Sequence, residues 1–110
     1  METIIKKEDY NACLQYIEKY WKELIYYHPK DKQLHLGLPN KYVMPCREIF
    51  KKDQFYWDTY FIIVGLVKCG RVDLAKGMVE NLVFLFKKFN IVPMRNRYYN
   101  LGISQIPFLT

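Results

Sequence analysis

The chain lacks paired cysteines. Cys13, Cys46 and Cys69 are an odd number at wide spacing, with no Cys-x-x-Cys unit. That excludes a dithiol redox motif and a zinc ribbon and leaves reduced, structural thiols as the expectation. Histidine is scarcer still: His28 and His35 have no carboxylate or thiol at ligand spacing, so they read as surface residues, and neither metal nor cofactor is expected. Long hydrophobic runs are missing too. The longest, near residues 60–67, is too short to span a bilayer, and Met1-Glu2-Thr3-Ile4-Ile5-Lys6-Lys7 has no apolar stretch of signal-peptide length. The sequence therefore predicts no membrane contact and a cytoplasmic location. Dense basic blocks are also absent: a net charge of +6 comes mostly from lysine pairs interleaved with carboxylates. A solvated, lysine-rich surface explains this better than nucleic-acid binding, which clusters its cations on one face.

What the chain does hold is apolar bulk. Of 110 residues, 51% are hydrophobic and 17% aromatic, which rules out a disordered tail and predicts one unit over 1–110 with a single small core. From about Glu8 to Tyr26, Tyr10, Cys13, Leu14, Ile17, Trp21, Leu24 and Ile25 recur at three- and four-residue steps. The spacing predicts an amphipathic helix that packs its stripe on the next helix. His28-Pro29 ends it, because proline disfavours helical geometry in the residue before it. Residues 27–53, with Pro29, Gly37, Pro39 and Pro45, form a long connector, of which Tyr42-Val43-Met44 is a short extended piece.

Next comes a knot of rings around one carboxylate, Phe55-Tyr56-Trp57-Asp58-Thr59-Tyr60-Phe61, running into Ile62-Ile63-Val64-Gly65-Leu66-Val67. Two readings of Trp57-Asp58 stand side by side. Asp58 can cap a helix running to about Cys69, or the indole can cover the apolar face of a pyranose while the carboxylate accepts from its hydroxyls. The helix is apolar on every side, as an inner helix would be. Gly70 ends it and Asp73 opens another over about 72–89, so the two form an antiparallel hairpin. The second member has one apolar stripe, Ala75, Met78, Val79, Leu82, Val83 and Phe86, and reads as an outer helix. After a loop rich in polar and aromatic residues, Ser104 to Thr110 reads as the cap and first turn of a further helix.

Several blocks in order, Phe55 to Phe61, Gly65-Leu66, Gly70-Arg71-Val72-Asp73-Leu74, Gly77 to Asn81, Pro93, Asn96-Arg97-Tyr98-Tyr99, Ser104-Gln105 and Pro107, resemble the amino-terminal part of the trehalase family of glycoside hydrolases over about Tyr42 to Thr110. The resemblance implies an all-α fold: a partial α/α toroid, a fragment of a barrel of six helix pairs, built from antiparallel hairpins with a long connector loop. It implies that Trp57, Asp58 and Gln105 bind a glucosyl unit, that Asn96 belongs to the surrounding motif, and that Arg47 stands in for the arginine of a Pro-Gly-Gly-Arg-Phe segment. Departures are present: Met94, Arg95, Ile103 and Ile106 replace family residues, and an aliphatic Ile103 cannot replace a guanidinium in a bidentate contact.

Inverting hydrolysis needs a carboxylic acid for the leaving oxygen and a carboxylate for water, roughly 6.5 to 9.5 Å apart. In the trehalase family both lie downstream of the Ser-Gln block. The expectation is therefore an amino-terminal segment of a trehalose hydrolase, holding part of the sugar site and silent alone, with a complementing polypeptide as its partner. The alternative is a non-catalytic helical module that self-associates or binds another protein through exposed apolar surface.

Overall fold

A computed structural model describes residues 4–105. In chain order the elements are α1 (Lys7–Leu24), β1 (Ile25–Tyr26), β2 (Tyr42–Val43), α2 (Tyr56–Lys68), α3 (Val72–Phe89) and a single 3-10 turn over Tyr98–Asn100. The fold is mostly helical, as expected, but it also carries a small sheet. β1 and β2 pair antiparallel, Ile25 with Val43 and Tyr26 with Tyr42. The first helix thus stops at Leu24, short of Tyr26. Ile25 and Tyr26 find strand partners, and Met44 N–H donates to the Leu24 carbonyl at 2.8 Å, so the helix end is satisfied by the connector instead of by another helical turn.

That connector is core. Leu36, Leu38, Tyr42, Val43 and Met44 are buried together with Leu66, Ala75, Met78 and Leu85. Gly37 makes the close passage possible: a Cβ there would sit 2.6 Å from the carbonyl carbon of Lys30, and its N–H donates to Asp31 Oδ1 at 2.7 Å. The Tyr42 hydroxyl donates to the Lys52 carbonyl at 2.6 Å, pinning the far end of the same segment.

α2 and α3 form the predicted hairpin. Gly70, at φ +78, takes the left-handed geometry of the turn, and Arg71 N–H donates to the Leu66 carbonyl at 2.8 Å. α3 buries Ala75, Met78, Leu82 and Leu85, while Val83 and Phe86 stay exposed, so its inner stripe is turned from the predicted one. Inside the hairpin a polar network replaces apolar filling. Asn81 Nδ2 donates to the Asn40 carbonyl and to Gln54 Oε1, each at 3.0 Å, and its Oδ1 accepts from Asn40 N–H at 2.9 Å. Gln54 Nε2 donates to the Met78 carbonyl at 3.0 Å. These bonds stitch connector, α2 entry and α3 into one body, at buried positions where an unpaired amide would be costly.

α1 departs from expectation. Only Leu24 of this helix is buried; Tyr10, Leu14, Tyr16 and Ile17 are exposed, and its distal half packs on no other helix among the described residues. Contact comes at the end nearest the core, where Trp21 lies against Gly65, whose missing side chain leaves room for the indole. α2 likewise keeps Trp57, Tyr60, Phe61, Val64 and Val67 exposed, a stripe at three- and four-residue steps along one face. Both helices therefore carry exposed apolar side chains among the described residues. Among the described residues, no helix is long and apolar enough to cross a membrane.

Candidate functional site

The entry to α2 is fixed by the loop that follows α3. Phe55 and Arg95 form an antiparallel bridge, and Tyr56 N–H donates to the Met94 carbonyl at 3.0 Å. Met94 N–H in turn donates to the Ile103 carbonyl at 2.7 Å, and Ser104 Oγ donates to the Val92 carbonyl at 2.6 Å. This clamp delivers Gln105 to the first turn of α2, where its Oε1 accepts the Trp57 backbone N–H at 2.7 Å. Ser104 and Gln105 are not helical; the rest of the helix predicted there falls on residues 106–110, outside the described residues.

Asp58 is not the helix cap. The N-cap is Phe55, and α2 begins three residues earlier than expected, which puts Asp58 in the first turn, where a negative charge meets the positive end of the helix dipole. The free amides of that turn are met instead by backbone and by Gln105. Thr59 N–H donates to the Phe55 carbonyl at 3.1 Å, and the Thr59 hydroxyl donates to the same oxygen. Asp58 is half-buried, and burial alone pushes its carboxyl above the ordinary carboxylate range. Among the described residues, no hydrogen bond or ion pair engages it. Trp57 is 40% exposed, its ring 6.3 Å from that of Phe61, and Tyr60 meets Phe61 edge-on at 5.2 Å. Trp57, Asp58 and Gln105 thus meet on one turn: an open aromatic face, a carboxylate short of partners and a side-chain amide.

The other two candidates lie elsewhere. Arg47 is exposed and ion-paired with Glu23 of α1; no contact joins it to Trp57, Asp58 or Gln105 among the described residues. Asn96 is fully buried. Its Oδ1 accepts from Gln54 N–H at 2.9 Å, and its Nδ2 donates to the Leu36 carbonyl at 2.9 Å and to His35 Nε2 at 3.0 Å. Every polar group of this amide is occupied by the protein, so it braces the connector against the segment leading into α2 and is closed to direct contact with a ligand.

Beneath the site lies a charged cluster that sequence reasoning missed. Asp53, 2% exposed, accepts from Arg97 Nε at 2.7 Å and from Arg95 Nη1 at 3.3 Å. Burial pushes its carboxyl up, and the two guanidiniums pull the other way. Arg95 also donates to Asn100 Oδ1 at 2.8 Å and lies over the rings of Phe55 and Tyr99. His35, expected on the surface, is 6% exposed and stacks on His28 with ring centroids 3.9 Å apart. Burial and the nearby charge of Arg97 lower its pKa to about 4, so it is neutral at neutral pH and accepts the Asn96 hydrogen at Nε2. Its 3.5 Å approach to Asp53 Oδ1 is then no ion pair. A clue was present in the sequence: an Asp three residues before Tyr56, with Arg-x-Arg downstream, supplies one acid and two bases to two segments that must meet.

Comparison with known proteins sets this geometry in a family. The trehalase family model matches residues 1–110. The chain is 34% identical over 101 residues to the periplasmic trehalase of Xanthomonas oryzae pv. oryzae (strain MAFF 311018), an alignment that covers 90% of this chain and 17% of the relative. The periplasmic trehalase of Xanthomonas axonopodis pv. citri (strain 306) gives the same figures, and that of Xanthomonas campestris pv. campestris (strain B100) is 34% identical over 102 residues. The chain spans about a sixth of the length of these curated relatives. Their periplasmic designation overturns the expectation of a cytoplasmic location, which rested on the absence of an export segment and so on no positive signal. With the whole of its length matched, the chain belongs to the trehalase family.

Proposed function

We propose that this chain forms the amino-terminal part of a periplasmic trehalose hydrolase, contributing one wall of a glucosyl-binding cleft. The 110 residues act as one unit, and the α2–α3 hairpin is one pair of a toroid of helix pairs. The apolar stripe Tyr60, Phe61, Val64 and Val67 on α2 is the face on which the remainder of the ring packs, with Trp57 at its end left to the cleft. The observation that carries this reading is the meeting of Trp57, Asp58 and Gln105 on one turn of α2 in a trehalase-family chain.

In that cleft the Trp57 indole covers the C–H face of a glucose ring, the Asp58 carboxylate accepts from its hydroxyls, and the Gln105 amide donates to an adjacent oxygen. Asn96 and the Asp53 cluster hold these groups in place from below. Arg47 lies apart, at its ion pair with Glu23. The acid and base for bond cleavage come from the polypeptide that completes the ring, so the chain alone binds weakly and does not turn over. Calorimetric titration with trehalose tests the binding step. Saturable heat that disappears in both Trp57→Ala and Asp58→Asn supports it, and no heat from wild type at high-millimolar sugar refutes it.

A second reading has its own support. The same exposed stripe, together with the bare distal half of α1, fits a module that associates with itself or another protein. Size-exclusion chromatography separates the two: a stable homo-oligomer indifferent to trehalose favours the module, and gain of trehalase activity with a complementing downstream polypeptide favours the enzyme.

A further inference from the structure

A concavity lined by none of Trp57, Asp58 and Gln105 opens beside the connector. Its volume is about 420 Å³. Lys32, Lys51, Lys52 and Arg97 line it, and no carboxylate does. One wall is a stack of rings: His28 lies on His35, and Tyr26 lies parallel to both, at 6.1 Å and 6.4 Å. Arg97 is held in position by its Nε bond to Asp53, which leaves its terminal nitrogens to be aimed by that anchor. His28 Nε2 is buried, with no hydrogen-bond partner among the described residues, on a residue that lines the concavity. Two further lining residues, Gln33 and Lys52, hold left-handed backbone geometry at φ 55 and φ 69, strain that a non-glycine residue tolerates only where surroundings enforce it.

Arg97 has the buried Asp53 as its counter-charge, but Lys32, Lys51 and Lys52 have none in the lining, and bulk water screens only part of their mutual repulsion. The positive surroundings already leave a mark: the charges of Arg97 and Lys52 join burial in suppressing protonation of His35. What relieves the repulsion is a compact anion with several acceptor oxygens, which can take charge-assisted hydrogen bonds from ammonium, guanidinium and imidazole groups at once.

We infer that the concavity lined by Lys32, Lys51, Lys52, Arg97 and His28 binds a phosphate group, carried either as inorganic phosphate or as the monoester of a small sugar. Arg97 and the lysines take the oxygens, and the stacked rings of His28 and His35 form the wall against which the group sits. The chemistry of the sugar site plays no part, so this inference stands or falls independently of trehalose binding.

The test follows the imidazole resonances of His28 and His35 by NMR in the full chain, titrated with inorganic phosphate at constant ionic strength. Saturable shifts of both are expected. Lys32→Gln combined with Lys51→Gln should weaken binding about tenfold or more, since each removes a charge-assisted contact. The same double variant should leave the trehalose titration unaltered and the remaining spectrum in place, which separates loss of the site from loss of the fold. Parallel titrations with glucose 6-phosphate and with glucose assign the source. Tighter binding of the ester identifies a sugar phosphate, and equal or weaker binding identifies inorganic phosphate. Absence of saturation, or identical shifts with chloride at matched ionic strength, overturns the inference.

Discussion

Gln105 Oε1 accepts the backbone N–H of Trp57 at 2.7 Å, so a residue far along the chain closes the open end of the helix that carries the proposed sugar platform. One side chain thereby serves stability and site at once. Gln105→Leu leaves that amide to solvent and should cost about 1 kcal/mol, the usual worth of a capping bond at an exposed helix start. A drop in the urea midpoint of that size, with any trehalose affinity lost, is the expected result. Loss of affinity without loss of stability would separate the two roles.

Asn81 spans the hairpin core, where it satisfies both backbone groups of Asn40 and the Gln54 side-chain carbonyl. Asn81→Leu is similar in volume but strands one buried and two part-buried polar groups, so about 2 to 3 kcal/mol should be lost, a large share of a small domain's stability. Thermal unfolding checks this, and a destabilisation below about 1 kcal/mol would mean that water replaces the amide.

The hairpin was legible because its cues are local. Gly70 marks the turn, and the apolar spacing on either side reports period and length. The Trp57–Asp58 candidate and Gln105 both came from family resemblance, and the structure brings the Gln105 side chain to the Trp57 backbone. The core was not. Leu36, Leu38 and Tyr42 sit in a segment whose prolines and glycine argue against regular structure, and burial without periodicity leaves no pattern to read. His35 misled for a related reason: an imidazole is ordinarily wet, and only the tertiary placement of His28, Asn96 and Arg97 around it makes burial affordable. Asp58 read as a cap because carboxylates favour that position, yet the bridge from Phe55 to Arg95 starts the helix earlier. The stripe of α1 reads as one that packs on the next helix, yet only its end at Leu24 is buried and the distal half is exposed.

Gly37 passes against the backbone of Lys30 with no space for a methyl group. Gly37→Ala forces either Lys30 or Leu38 to move, and Leu38 is fully buried with its N–H donating to the His28 carbonyl at 2.7 Å. The expected cost is about 1 to 3 kcal/mol, typical of overpacking. Chemical denaturation should show an unchanged slope and a lower midpoint, whereas Gly102→Ala, where a side chain meets open space, should be nearly silent.

His35 ties stability to pH. Its folded pKa, lowered from 6.5 to about 4, means that the unfolded chain binds the proton more readily across that interval. Its contribution is therefore fully present above pH 6.5 and is lost as pH falls through the folded value. A shift of that size corresponds to up to about 3 kcal/mol. Asp53 works with the opposite sign, since its raised pKa makes ionisation a cost that grows as pH rises from 3.8. The two effects have opposite signs, so the His35 signal is read as the difference between wild type and a variant that keeps Asp53. Wild type should lose melting temperature relative to His35→Gln, which cannot take up a proton but still accepts from Asn96, as pH falls from 6.5 to about 4. Parallel profiles for the two proteins would mean that another group carries the acid sensitivity and that His35 protonates in the fold as readily as in the open chain.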